Sequence, residues 1–165
     1  LSGEYVDMTI QFRPAKIQDC HTIHAFIQEL ADYLELGNKM LATPEDLLRD
    51  GFCSNPKFFS IIAHEFEKPI GVAVYFFTYS SWAGRKVLNL HDIIVTQGHR
   101  RSGAGRLLLS YLEEEAERND CARIDLEVRS YNEARKFYKE LGFTQDKSNL
   151  IYELDRLNFK SLILS

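Results

Sequence analysis

Arg100-Arg101-Ser102-Gly103-Ala104-Gly105 is the segment most suited to chemistry, because it lies between a strand-like apolar run and an amphipathic helical pattern. Two glycines let such a turn aim several backbone N–H groups at one point, and the N-terminus of the following helix adds partial positive charge there. Arg100 and Arg101 supply further charge, so the turn suits an anion, with phosphate the natural ligand. A Gly-x-Gly after arginine is also a plain tight strand-to-helix connection, and both readings stand on these residues alone. The Walker pattern is excluded because no Gly-Lys-Ser/Thr follows; the dinucleotide fingerprint is excluded because its third glycine and repeated βαβ frame are missing. His21, His24, His64 and His99 lack the spacing of a metal cluster, and Cys20, Cys53 and Cys121 lack paired ligand or redox spacing, so no metal is expected.

The elements that position this turn follow from periodicity. Thr9 to Arg13 reads as a short strand stopped by Pro14, and Asp19 as the cap of a helix whose apolar face is Ile23, Phe26, Ile27, Leu30 and Leu34. Thr43-Pro44-Glu45-Asp46 has the hydroxyl cap, first-turn proline and acids of a second helix that Gly51 ends. Phe58 to Ala63 and Ile70 to Thr78, joined at Glu67-Lys68-Pro69, read as an antiparallel hairpin. Val87 to Val95 is a third strand, with Ile93-Ile94-Val95 apolar in succession as for a strand buried on both faces. Ala104 to Arg118 is helical with Leu107, Leu108, Tyr111 and Leu112 inward. A strand at Arg123 to Val128, a helix to Leu141 ended by Gly142, and a last strand at Asn149 to Leu154 complete the order βααβββαβαβ. This is an α+β arrangement around a mixed, mostly antiparallel sheet.

The 165 residues are expected to form a single domain over residues 8 to 155, with residues 156 to 165 a loose tail. Leu1 to Asp7 precede the first methionine, carry no pattern and are set aside from the fold. The net charge of -4, from 24 acidic and 20 basic residues, argues against nucleic acid. Apolar runs stop well short of the roughly 20 residues that cross a bilayer, so a soluble, cytoplasmic protein is expected, with no membrane partner.

The turn and its context resemble the GNAT acetyltransferase superfamily, whose cofactor loop reads Gln/Arg-x-x-Gly-x-Gly/Ala, met here by Arg100, Gly103 and Gly105. One strand later, Asn132-Glu133-Ala134-Arg135-Lys136-Phe137-Tyr138 and Gly142-Phe143 are similar to the family's alanine, tyrosine and Gly-Phe signature. Phe12-Arg13-Pro14-Ala15, Asp46 to Phe52 and Tyr75 to Tyr79 resemble diamine (spermidine/spermine) and thialysine N-acetyltransferases. The resemblance implies a GNAT-like fold, acetyl-CoA as cosubstrate, a small primary amine as acceptor and a homodimer. It assigns acetyl-CoA to Ile93, Ile94, Val95, Arg100 to Arg106, Asn132 and Tyr138, and makes Tyr138 the general acid for the departing thiolate. Acidic positions that such enzymes place near a polyamine are Leu34, Ser80 and His91 here, and Asn132 lies six residues before Tyr138 where the family commonly has seven.

Amine acetylation needs a neutral nitrogen, yet an alkylammonium with a pKa of about 10.4 is neutral to only about one part in a thousand near pH 7, a cost of about 4 kcal/mol. His91 and Asp92 are the candidate bases; strand alternation turns neighbours to opposite faces, so only one is expected to face the site. Tyr33, Tyr79 and Trp82, with His91, are candidates for an amine pocket through cation-π contact. A protein or peptide N-acetyltransferase and a non-catalytic acyl-CoA-binding regulatory module are the competing functions.

Overall fold

The computed structural model describes residues 9 to 159, so Leu1 to Asp7 and the tail beyond Phe159 lie outside it. The chain forms β1 (Ile10–Pro14), α1 (Cys20–Tyr33), α2 (Pro44–Gly51), β2 (Phe59–Glu65), β3 (Lys68–Ser80), β4 (Arg85–Val95), α3 (Ala104–Arg118), β5 (Ile124–Leu126) and α4 (Ala134–Glu140). It falls into two compact units divided between Glu127 and Val128, the first holding all five strands and α1 to α3, the second holding α4 and the residues C-terminal to it. Among the described residues no helix is long and apolar enough to cross a membrane.

The sheet runs β1-β2-β3-β4-β5, antiparallel except for the parallel β4/β5 pair. Ile62, Val72, Val74 and Ile94 project from one face into a core with Ile23 and Phe26 of α1 and Leu47 of α2. On the other face, Ile61, Ala73, Tyr75 and Leu90 are buried where α3 covers the sheet. The apolar stripe of α3 is Leu108, Leu109, Leu112 and Ala116, rotated from the expected one: Leu109 is buried and Leu107 only half so.

Local chemistry accounts for the helix starts. Thr43 Oγ1 accepts from Asp46 N at 3.2 Å while Thr43 N donates to Asp46 Oδ2 at 2.9 Å, a reciprocal cap of about 1 kcal/mol that starts α2 at Pro44. Asp19 differs from expectation. It stands at the N-cap of α1, but its buried carboxylate turns back to accept from Lys16 N at 2.6 Å and from the Arg13 guanidinium at 2.7 and 3.0 Å. The guanidinium holds the Asp19 carboxyl below its ordinary range, and an unpaired buried charge is costlier than a missing cap.

The strand expected at Asn149 to Leu154 does not form, and β5 spans three residues, not six. Leu150, Ile151, Tyr152 and Leu154 are exposed. Apolar and β-branched residues make a strand only where a neighbouring ladder takes up their N–H and C=O groups, and none pairs with this segment among the described residues.

Candidate active site

Register decides the site. β3 and β4 pair without interruption from Gly71↔Val95 to Val74↔Asp92, and the next pair is Tyr75↔Leu90. His91 is therefore one residue too many on β4, a β-bulge. A bulge bends the strand and turns two successive side chains the same way. His91 Nδ1 consequently lies 2.8 Å from Asp92 Oδ2, and its ring packs near Phe76 at 6.2 Å between centroids. The expectation that only one of the two would face the site is corrected: alternation fails at the bulge, and both meet in one hydrogen-bonded pair. A carboxylate only accepts, so Nδ1 carries the proton and Nε2 presents its lone pair. The Asp92 hydrogen bond raises the imidazole above its ordinary value, partial desolvation acts the other way, and the charges of Asp92 and Glu127 add to the rise.

The bulge lies where the sheet splits. Parallel pairing of β4 with β5 covers Leu88↔Ile124, Asn89↔Asp125 and Leu90↔Leu126 and then ends. From His91 to Val95, β4 has β3 on one side and no described strand on the other, which leaves an open backbone edge. Ile93 and Val95 stay half-buried for that reason, unlike the fully covered residues expected, while Ile94 is buried against α1.

The open edge leads into the glycine turn. Arg101 and Gly103 take left-handed conformations, φ 65° and 89°, and a Cβ on Gly103 would meet nothing within 4 Å. Glycine is required there for conformation and not for room. Ser102 Oγ donates to His99 O at 2.6 Å and accepts from Ala104 N at 3.4 Å, so this hydroxyl braces the turn. The N–H groups of Gly105 and Arg106, in the first turn of α3, have no intrahelical acceptor and mark an anion-binding end. Arg101 and Arg106 are exposed beside them.

Two further ties fix the turn, and neither was evident from sequence. His99 Nδ1 and Thr96 Oγ1 are 3.2 Å apart, and His99 Nε2 lies 3.2 Å from Glu65 Oε2, which links the turn to the end of β2. Arg100 Nε donates to Val95 O at 3.1 Å, and its guanidinium lies 4.8 Å from the Tyr33 ring centroid and 4.0 Å from Glu29 Oε1. Residues separated by tens of positions make most of these contacts, and no local motif announces them.

Tyr33 therefore packs against the turn's arginine. Tyr79 pairs with Lys86 and Trp82 is fully exposed at the β3/β4 hairpin tip. Lys86 is five positions before His91 on β4, about 17 Å at the rise of an antiparallel strand. The structure thus does not gather Tyr33, Tyr79, Trp82 and His91 into one pocket. In the second unit, Asn132 Oδ1 accepts from Ala134 N at 2.9 Å at the start of α4. Tyr138 packs between Phe137 and Phe143, with ring centroids 5.6 and 5.7 Å away, and burial pushes its hydroxyl up to about 12.

Residues 23–143 match the acetyltransferase (GNAT) family. This chain is a member of the GNAT acetyltransferase family. It is 37% identical over 161 residues to the human spermidine/spermine N(1)-acetyltransferase-like protein 1, covering 93% of this chain and 23% of that protein. It is 34% identical over 143 residues to the thialysine N-epsilon-acetyltransferase of Sus scrofa, covering 81% of this chain and 84% of that enzyme. The chain thus spans about a quarter of the human relative and most of the pig one. An integron cassette protein from V. cholerae shares its fold with TM-score 0.79 at 24% identity, over 96% of this chain and 99% of that one. An aminoglycoside acetyltransferase from a soil metagenome does so with TM-score 0.76 at 13% identity, over 91% and 98%. In this GNAT member the split sheet, the bulge and the glycine turn belong to one continuous stretch, His91 to Arg106.

Proposed function

We propose that this chain is an acetyl-CoA-dependent N-acetyltransferase that acetylates a primary amine of a small molecule, a diamine, polyamine or lysine-like amine, by direct attack on the thioester. The observation that carries this reading is the His91–Asp92 pair set by the bulge at the head of an open strand edge that ends in the glycine turn. An edge of unpaired amides suits a ligand arm that itself contains amides, and the α3 N-terminus with Arg101 and Arg106 suits a pyrophosphate. Both features fit acetyl-CoA, whose activated acetyl group is the chemistry it supplies when bound. His91 Nε2 takes a proton from the acceptor ammonium, and Asp92 balances the imidazolium charge through Nδ1–H. The freed nitrogen attacks, and Tyr138, protonated at neutral pH, serves as the proton donor to sulfur. The names of the human and pig relatives support a small amine as acceptor.

The same reading makes the protein a cytoplasmic homodimer. A radiolabelled acetyl-transfer screen over diamines, polyamines, lysine analogues, monoamines and peptides tests the function. Transfer to small amines is expected; transfer to peptides alone, or acetyl-CoA binding without transfer, contradicts it.

A further inference from the structure

Glu127 comes directly after the last residue of β5, and the register shows where it points. Leu90 and Leu126 are paired in a parallel ladder, so they share a face, the one on which Leu90 is buried. The next position on extended backbone turns to the opposite face. His91 is on that opposite face, because it meets Phe76, whose neighbour Tyr75 is the residue paired with Leu90. His91 follows Leu90 and Glu127 follows Leu126, so the two come next to the last pair of the ladder where β4 and β5 part, and the Glu127 charge acts on the imidazole.

The neighbouring carboxylates are already committed. Asp92 holds His91 Nδ1, and Asp125 holds the Arg123 guanidinium at 2.8 and 3.0 Å. Glu127 is exposed and has neither a hydrogen bond nor an ion pair among the described residues. Once His91 has accepted the acceptor's proton, Asp92 neutralises it and the Glu127 charge is left over. A positive group on the acceptor itself, at a distance from the reacting nitrogen, is what balances that charge. With no acid at Leu34, Ser80 or His91, Glu127 is the carboxylate near His91 that has no partner among the described residues, which matches one remote ammonium and not two or three.

We propose that Glu127 is the specificity-determining residue for the acceptor: its carboxylate receives the remote ammonium of a dicationic amine while the reacting nitrogen is delivered to His91. This inference rests on the amine-acetyltransferase reading above and adds the number and location of the charges recognised. Its test compares the full chain with Glu127→Gln and Glu127→Asp, using a short diamine and a monoamine of equal length as acceptors. A hydrogen bond to a charged group corresponds to about 10- to 100-fold. The kcat/KM ratio of diamine to monoamine is expected to fall by that factor in Glu127→Gln, through KM for the diamine, and to recover in part in Glu127→Asp. The KM for acetyl-CoA reports whether the fold and cofactor side are intact. An unchanged diamine-to-monoamine ratio, or a loss equal for both acceptors, overturns the role of Glu127 while leaving the acetyltransferase reading in place. Absence of transfer to any amine by the unaltered chain overturns both.

Discussion

Asp92→Asn tests the bulge pair most sharply, because it removes one charge and keeps the shape. The 2.8 Å contact between His91 Nδ1 and Asp92 Oδ2 is a charge-assisted hydrogen bond, of a kind that contributes about 1.5 to 3 kcal/mol. The His91 side chain is 65% exposed, so solvent screening places the effect at the low end, about 1.5 kcal/mol or tenfold in rate. The asparagine oxygen still accepts from Nδ1–H, which keeps the tautomer and confines the loss to the charge. The pH profile carries the sign. His91 works as a neutral base, so kcat/KM falls as pH drops through its folded-state value, which the Asp92 hydrogen bond holds above the ordinary imidazole value. Without the carboxylate that value drops and the acid limb moves to lower pH, while the high-pH plateau falls about tenfold because imidazolium is no longer balanced. Steady-state kinetics between pH 5 and 9, on a variant shown by circular dichroism to be folded, give both readings. An acid limb that stays in place, or moves upward, refutes the assignment of His91 as base and Asp92 as its partner.

Gly103→Glu should abolish acetyl-CoA binding in calorimetry, through repulsion at the anion site and strain at φ 89°, and unaltered affinity in a folded variant would remove the turn from the cofactor site. Tyr138→Phe should keep cofactor affinity and lower turnover about 10²-fold; normal turnover with chemistry rate-limiting would exclude Tyr138 as the acid. His99→Ala and Glu65→Ala each remove the 3.2 Å tie between the turn and β2, and should raise the KM for acetyl-CoA about 3- to 10-fold with little change in kcat; a loss in kcat alone would contradict a positioning role. Gly71→Ala would put a Cβ 2.8 Å from Ile94 O inside the β3/β4 ladder, so a loss of about 1 to 3 kcal/mol and a fall in Tm of several degrees are expected in thermal unfolding.

Features held by neighbours in the chain are legible in the sequence. Thr43, Pro44 and Asp46 start α2 through contacts three residues apart, the β2/β3 hairpin follows from two apolar runs and a short turn, and the Gly103 conformation from the glycine itself. Features that depend on the partner strand are not. One extra residue at His91 shows only against the register of β3, and it reverses which side chains share a face. Glu127 emerges only from the parallel pairing of Leu90 with Leu126, between strands 36 positions apart in sequence. Aromatic type drew Tyr33, Tyr79 and Trp82 into one expected pocket, whereas the long hairpin carries two of them away and Arg100 covers the third. At Asn149 to Leu154 the pattern of side chains suited a strand, but a strand also needs a ladder.

Rapid-quench transfer of labelled acetyl groups tests the central claim most directly: the protein is mixed with acetyl-labelled acetyl-CoA, first alone and then with a diamine, and label is counted on protein, amine and CoA. Direct transfer predicts no protein-bound label at any time and label on the amine within one turnover of adding it. Label on the protein before the amine arrives, or none on any amine afterwards, would contradict the account.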